Sequence, residues 1–265
     1  MTELPFKNGK MSFGPGLKKL DGKFFSEKPF AIDEYFDNKL RVTPEFHKGR
    51  YNLTADTEEA AKQFIRKHSW LAGNLTGYTN RLEELMYKLK EDVVIVELDE
   101  NGNDYISFVD VCAPQSWSPT ASLGKSVSET HQMVPGKLNG SWENILKACF
   151  SKGPYERFQW SIKNTDQLNL HPSVGIDSTD FEYTNHDFFI RIETQHIAPL
   201  IEGKSFIFSI LTEHKRLSSM QAEDLMLLKQ AIEGLSPDEV RYKGLVEHKS
   251  DLCFYIKKVA GGLWI

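Results

Sequence analysis

Cysteine is scarce in this 265-residue chain. Its three residues, Cys112, Cys149 and Cys253, lie far apart, and no pair has Cys-x-x-Cys spacing. An odd, scattered set argues against a disulfide framework and against a zinc or iron–sulfur centre, and it points to a reducing compartment. Long apolar runs are missing as well, with no stretch of about 18 consecutive apolar residues of the kind that crosses a bilayer. The opening residues, Met1-Thr-Glu-Leu-Pro-Phe6, show no basic-then-apolar signal pattern, so a cytoplasmic location and no membrane partner are expected. Positive charge is not in excess either: Lys+Arg 32 against Asp+Glu 37 gives a net charge of -5. Without a basic stripe interleaved with aromatics, no nucleic-acid partner is expected. There is no Walker A loop, GxGxxG fingerprint, GxSxG elbow, HExxH pair or EF-hand loop, which removes the enzyme classes those motifs serve.

What is present is apolar and aromatic material for a core, 40% and 12% of residues,. Residues 1–55 are loop-rich yet carry many aromatics, among them Phe6, Phe24, Phe25 and Tyr35, which predicts a strap packed on the domain. A helix is predicted from Asp56, where Glu59 completes a capping-box pattern, and a second from about Arg81. Val93–Leu98 and Tyr105–Val111, joined through Asn101-Gly102, read as a β-hairpin. Ser141 is a plausible N-cap for a helix carrying Trp142, Ile145, Leu146, Cys149 and Phe150, stopped by Gly153-Pro154. Strand-like runs follow at 157–162, 188–193 and 206–211, then a long helix from Ser218 or Ser219 with Gln221 supporting its cap. Leu252–Ile256 reads as a possible further strand in a tail over 236–265. Because βαβ alternation is missing, the order implies an α+β fold with a mainly antiparallel five-stranded sheet and flanking helices over 56–235.

Histidines are the main chemical resource. His131 follows Val111-Cys-Ala-Pro-Gln-Ser-Trp-Ser-Pro119 and Leu123-Gly124, and lies four residues before Pro135, which keeps the preceding residue extended. It can be a haem or metal ligand, a general base, or a polar residue at a loop corner. One axial histidine beside an apolar pocket suffices for haem, whereas zinc needs two or three further ligands. His171, before Pro172, is a second candidate whose ordinary reading is a turn residue. On the 188–193 strand, alternation puts Arg191 and Glu193 on one face and Ile190 and Ile192 on the other. That charged face is either a ligand pocket or a solvated surface carrying an ion pair. Glu213-His-Lys-Arg216 reads as an exposed polar cluster.

Cys112, Pro114, Trp117, Gly124, His131, Val134 and Pro135 fall, without a gap, in the spacing of a Cys-x-Pro-x-x-Trp, Gly, His-x-x-Val-Pro pattern. Phe13-Gly-Pro-Gly-Leu17, Asp33-Glu-Tyr35 with Lys39, Trp160-Ser-Ile162, Arg191-Ile-Glu-Thr-Gln195 and Tyr242-Lys-Gly-Leu245 follow in matching order. Across these segments the chain resembles the haem-dependent oxidative N-demethylase α-subunit-like proteins. The resemblance implies a PAS-like haem domain holding haem b, with His131 as the iron ligand and Trp117 and Trp160 near the macrocycle. It makes Arg191 and Glu193 the candidates for catalytic pocket polarity. The implied activity is a monooxygenase that uses dioxygen to oxidise a methyl group of a small secondary amine, releasing formaldehyde. A separate reductase is the implied electron donor, since the chain has neither a flavin fingerprint nor cysteine spacing for a cluster. The chain departs from the pattern at Thr194 and Leu211, where Arg is usual, at His196, where Thr is frequent, and at Ser122, where Lys is usual. Because a lost cation could have held a haem propionate or a substrate, these departures favour a second reading, a PAS-like haem or small-ligand sensor without turnover.

Overall fold

The hairpin predicted around Asn101-Gly102 sits inside a larger antiparallel sheet. A computed structural model describes residues 4–6, 17–26, 33–69, 81–131, 142–181, 183 and 187–262. Val134, Pro135, the Phe13–Gly16 segment and the expected N-cap Ser141 lie outside the described residues. In chain order the elements are β1 (Lys18–Lys19), α1 (Glu34–Arg41), α2 (Pro44–His47), β2 (Lys48–Arg50), α3 (Ala55–His68), α4 (Leu82–Met86), β3 (Asp92–Leu98), β4 (Asp104–Asp110), α5 (Val127–Thr130), α6 (Trp142–Ser151), β5 (Tyr155–Lys163), β6 (Phe189–Ile201), β7 (Ser205–Arg216), α7 (Ala222–Glu233), α8 (Pro237–Tyr242) and α9 (Lys249–Ala260).

Local chemistry accounts for the element ends, and in three places it moves the expected ones. Helix α3 begins at Ala55, because Thr54 is the cap: its hydroxyl accepts the Thr57 N–H at 3.3 Å and donates to Glu97 of β3 at 2.5 Å,. Helix α7 begins at Ala222, after a separate 3₁₀ turn at Leu217–Ser219. Leu252–Ile256 is not a strand but the middle of α9. There Leu252, Cys253, Tyr255 and Ile256 are buried while Phe254 is exposed, a helical stripe that a run of five apolar residues conceals.

The sheet has seven strands, not five, in the order β1-β5-β6-β7-β3-β4-β2, with every neighbouring pair antiparallel. Both additional strands come from the N-terminal fifty residues and form the two edges. Period-two alternation gives the sheet two chemically different faces. On the front face Val94, Val96, Val109, Ile197 and Phe206 pack with Cys149 and Phe150 of α6 and with Trp117, Leu123 and Val127. On the back face Val93, Ile95, Phe108 and Ile207 pack with α3, α4, Phe24 and Phe25. The other end of the back face, with Trp160, Ile162, Ile190 and Ile192, is covered by residues of α7, α8 and α9. Ile95 has no exposed surface, so Ile95→Ala is expected to cost about 3 kcal/mol in a urea melt through lost burial and a residual cavity.

Candidate functional site

The loop after β4 is clamped from two sides. The N–H groups of Cys112 and Ala113 donate to the two oxygens of Asp92, both at 2.9 Å. Burial nevertheless pushes the Asp92 carboxyl up to about 6, against the lowering effect of Lys39 and these two N–H groups,. From the sheet, Arg191 donates to the Ala113 carbonyl and, at 3.0 Å, to the Leu168 carbonyl. Ser161 adds a hydrogen bond to Gln115 at 2.8 Å. The clamped loop lays Trp117 onto the front-face cluster that also receives Val127 of α5. Cys112 is buried, and desolvation, with Asp110 beside it, raises its thiol far above the usual range; it is an inert packing residue.

Helix α5 is started by a reciprocal capping box between Ser126 and Glu129,. His131 follows its last residue, with Nδ1 2.7 Å from the Val127 carbonyl and 3.0 Å from the Thr130 hydroxyl. A carbonyl only accepts, so Nδ1 carries the proton and Nε2 keeps its lone pair. This is the tautomer of a metal-ligating histidine oriented by a backbone acceptor. Among the described residues no group of three or more His, Cys, Asp and Glu side chains could hold a metal ion.

The polar half of the front face is built in register: Arg157 pairs with Gln195, Gln159 with Glu193 and Ser161 with Arg191, and on the next strand Glu193 pairs with Thr212 and Arg191 with His214. Arg157 lies within electrostatic range of both His131 and Glu193. Its Nε is sealed from solvent without a hydrogen-bond partner, and burial holds the guanidinium below its usual range. Glu193 is shared, 3.5 Å from Arg191 Nε and 3.0 Å from Gln195 Nε2. Burial, with Arg191 next, lowers Lys163 to about 8. It also lowers Lys243, whose ammonium donates to the Trp160 carbonyl, to about 7. His214 is desolvated rather than exposed: burial, Arg191 and Lys163 push it to about 3, and its Nε2 is buried with no partner. Arg157, Lys163 and Arg191 therefore share this surface with Glu193, while Asp92 is taken up by loop N–H groups. A surface with that surplus of desolvated cations suits an anionic group.

The front face thus gathers Trp117, Arg191 and Glu193 on the side where α5 presents His131. Trp160 is not among them. It occupies an even position of β5, is 4% exposed on the back face, and meets Phe6 edge-on at 5.9 Å. Arg191 has no exposed surface, and its guanidinium holds backbone carbonyls, which makes it a positioning residue for the loop. His171 stacks on Phe46 at 5.1 Å, its Nδ1 accepting the Ser173 N–H at 3.0 Å, as a turn residue does. Ser122 is buried with its hydroxyl on the Pro119 carbonyl at 2.6 Å. Thr194, His196 and Leu211 point to the back face, so these departures from the family pattern take no cation from the His131 side. Arg157 was not singled out in the sequence, and His214 was read there as part of an exposed polar cluster, which its burial corrects; the signal for Arg157 was its place in the alternating run with Gln159 and Ser161.

An α+β domain with one presented histidine, a packed tryptophan and a cation-rich sheet face is the class of protein these features define. The family model described as haem-dependent oxidative N-demethylase, alpha subunit-like, matches residues 34–253, and the chain belongs to that family. No curated protein matches it significantly. Among the described residues no helix is long and apolar enough to cross a membrane.

Two measurements probe this geometry. Arg191→Met is expected to destabilise the protein by about 3–5 kcal/mol, because Glu193 and two loop carbonyls lose their buried partner; a chemical melt reads it. His214 takes a proton near pH 6.5 when unfolded and near 3 when folded, so the unfolded state binds more protons in that window and stability falls as pH falls. Between pH 7 and pH 5 the wild type should lose about 1–2 kcal/mol more than His214→Gln; equal losses in urea titrations would contradict a desolvated neutral imidazole.

Proposed function

We propose that this protein is a haem-dependent monooxygenase-like enzyme that oxidises an N-methyl group of a small secondary amine and releases formaldehyde. The observation that carries the reading is His131 itself, its Nδ1–H directed to the Val127 carbonyl so that the lone pair a metal ligand needs sits on Nε2, within electrostatic range of an arginine whose Nε has no partner. The five central strands support it. In their own chain order β3, β4, β5, β6 and β7 are arranged 3-4-5-1-2 across the sheet, the order of a PAS-like sheet, with α5 and α6 inserted between the second and third.

The residues present fit haem b. His131 Nε2 would bind the iron, Trp117 would pack on the macrocycle, and Arg157 would take a propionate. When bound, haem supplies the binding and activation of dioxygen. The chain's own groups do the rest. The Val127 carbonyl fixes the ring of His131 and raises its basicity as a ligand. Arg191 holds the Ala113 loop, and Glu193 is the carboxylate able to hold the charged form of an amine. Ile197, Phe206 and Phe208 supply the apolar part of the wall that excludes water,. Electrons come from a separate reductase. The sensor reading rested on cations missing around the cofactor; Thr194, His196 and Leu211 lie on the back face, which leaves Ser122 as the departure that still favours it.

After haem is added, the protein is expected to show a Soret band that His131→Ala abolishes, and Arg157→Gln should weaken haem retention about tenfold. With dimethylamine, dioxygen and a surrogate reductase, formaldehyde should appear in step with amine consumed. A protein that stays colourless overturns the reading, and a haem-loaded protein that never releases formaldehyde is the sensor instead.

A further inference from the structure

We infer that the back face carries a second small-molecule site, which takes a small organic cation with an apolar body. Among the described residues the two helical layers of that face form separate apolar clusters: α3 and α4 with Phe24 and Phe25 cover one end, and α7 to α9 cover the other. Between them, over the directly paired Thr194 and Leu211, lies an open cavity of ≈390 Å³ walled by Phe25, Ser26, Glu91, Thr194, His196 and Leu211, together with Lys23. That volume lies in the range of small-molecule sites, and Phe25 and Leu211 give it an apolar surface.

The polar groups of the wall are unbalanced in one direction. Glu91 is 3% exposed; its Oε1 accepts the Ser26 N–H at 2.6 Å, but its Oε2 is buried with no partner. The hydroxyl oxygen of Thr194 is buried without a partner too. His196 has no ring nitrogen to spare, with Nδ1 on the Phe24 carbonyl at 2.7 Å and Nε2 3.3 Å from Glu156. Lys23 is exposed and has a partner. A carboxylate oxygen left unmatched at low exposure is costly, and a charged N–H donor is the group that satisfies it best. An anion of the same shape would face Glu91 and be repelled. The cavity is on the other side of the sheet from His131, so the site stands whether or not the front face binds haem.

The test uses the full chain without added haem and calorimetric titration with 2-phenylethylammonium, 3-phenylpropionate and 2-phenylethanol. The ammonium probe is expected to bind saturably and at least about tenfold tighter than the other two. Glu91→Gln keeps the acceptor for Ser26 and should weaken the ammonium probe by about tenfold. Leu211→Trp should abolish binding by filling the cavity; if circular dichroism shows it unfolded, Thr194→Leu replaces it. His131→Ala should bind the probe as the wild type does. Absence of saturable binding, equal binding of all three probes, or unaltered binding to the filled variant overturns the site. Loss of binding in His131→Ala also overturns it, because it moves the probe to the front face.

Discussion

The guanidinium of Arg191, wholly enclosed in the middle of the sheet, is the charge to which the front of the molecule is tied. An arginine cannot shed its proton to escape burial, so its surroundings must compensate it. They do so with the Ala113 and Leu168 carbonyls, the Thr212 hydroxyl and the Glu193 carboxylate. Two loops far apart in the chain are brought over one strand as a result, and they then bond to each other, with Ser116 N–H on the Leu170 carbonyl and Leu170 N–H on that of Pro114, both at 3.0 Å. Asp92, the first residue of β3, holds the same loop through the Cys112 and Ala113 N–H groups. The position of Trp117, and of the short helix that presents His131, follows from that closure.

The sheet then works as a partition. Along β6, Arg191, Glu193 and Gln195 face the cation-rich side, while Ile192, Thr194 and His196 face the helical layers behind. Neighbouring residues thus belong to separate environments 180° apart, and a register slip of one residue would exchange them all. The chain's departures from its family pattern on these strands, Thr194, His196 and Leu211, therefore all lie on the back face, while Ser122 stands apart in the loop after β4. Those on even positions of β6, with their partner on β7, shape the cavity at the back and leave the surroundings of His131 unaltered.

Much of this was legible in local pattern. The hairpin announced itself through Asn101-Gly102 between two β-branched runs, α6 through its apolar stripe, and the two-sidedness of β6 through alternation, because turn propensity and periodicity act within a few residues. The spacing from Cys112 to His131 was informative for the same reason: it is one continuous segment that must reach from a strand end to a helix end. Signals failed where an element was too short to show a period, as in β1 and β2, or where a run fitted two periods equally, as in Leu252–Ile256. β6 and β7 ran well past their predicted ends, since Thr194, His196 and Glu213 break the apolar run without breaking the backbone ladder.

From residue order alone came the elements, the odd and even sets of each strand, and the histidine to watch. Tertiary pairing settled which set faced which neighbour: Trp160 went behind the sheet, His214 was desolvated beside Arg191 and Lys163, and Arg157 was left with an unmatched Nε. Those outcomes depend on contacts such as that between Arg191 and Ala113, 78 residues apart. Burial and hydrogen-bond satisfaction are properties of such meetings, whereas propensity and periodicity are properties of a short stretch of chain.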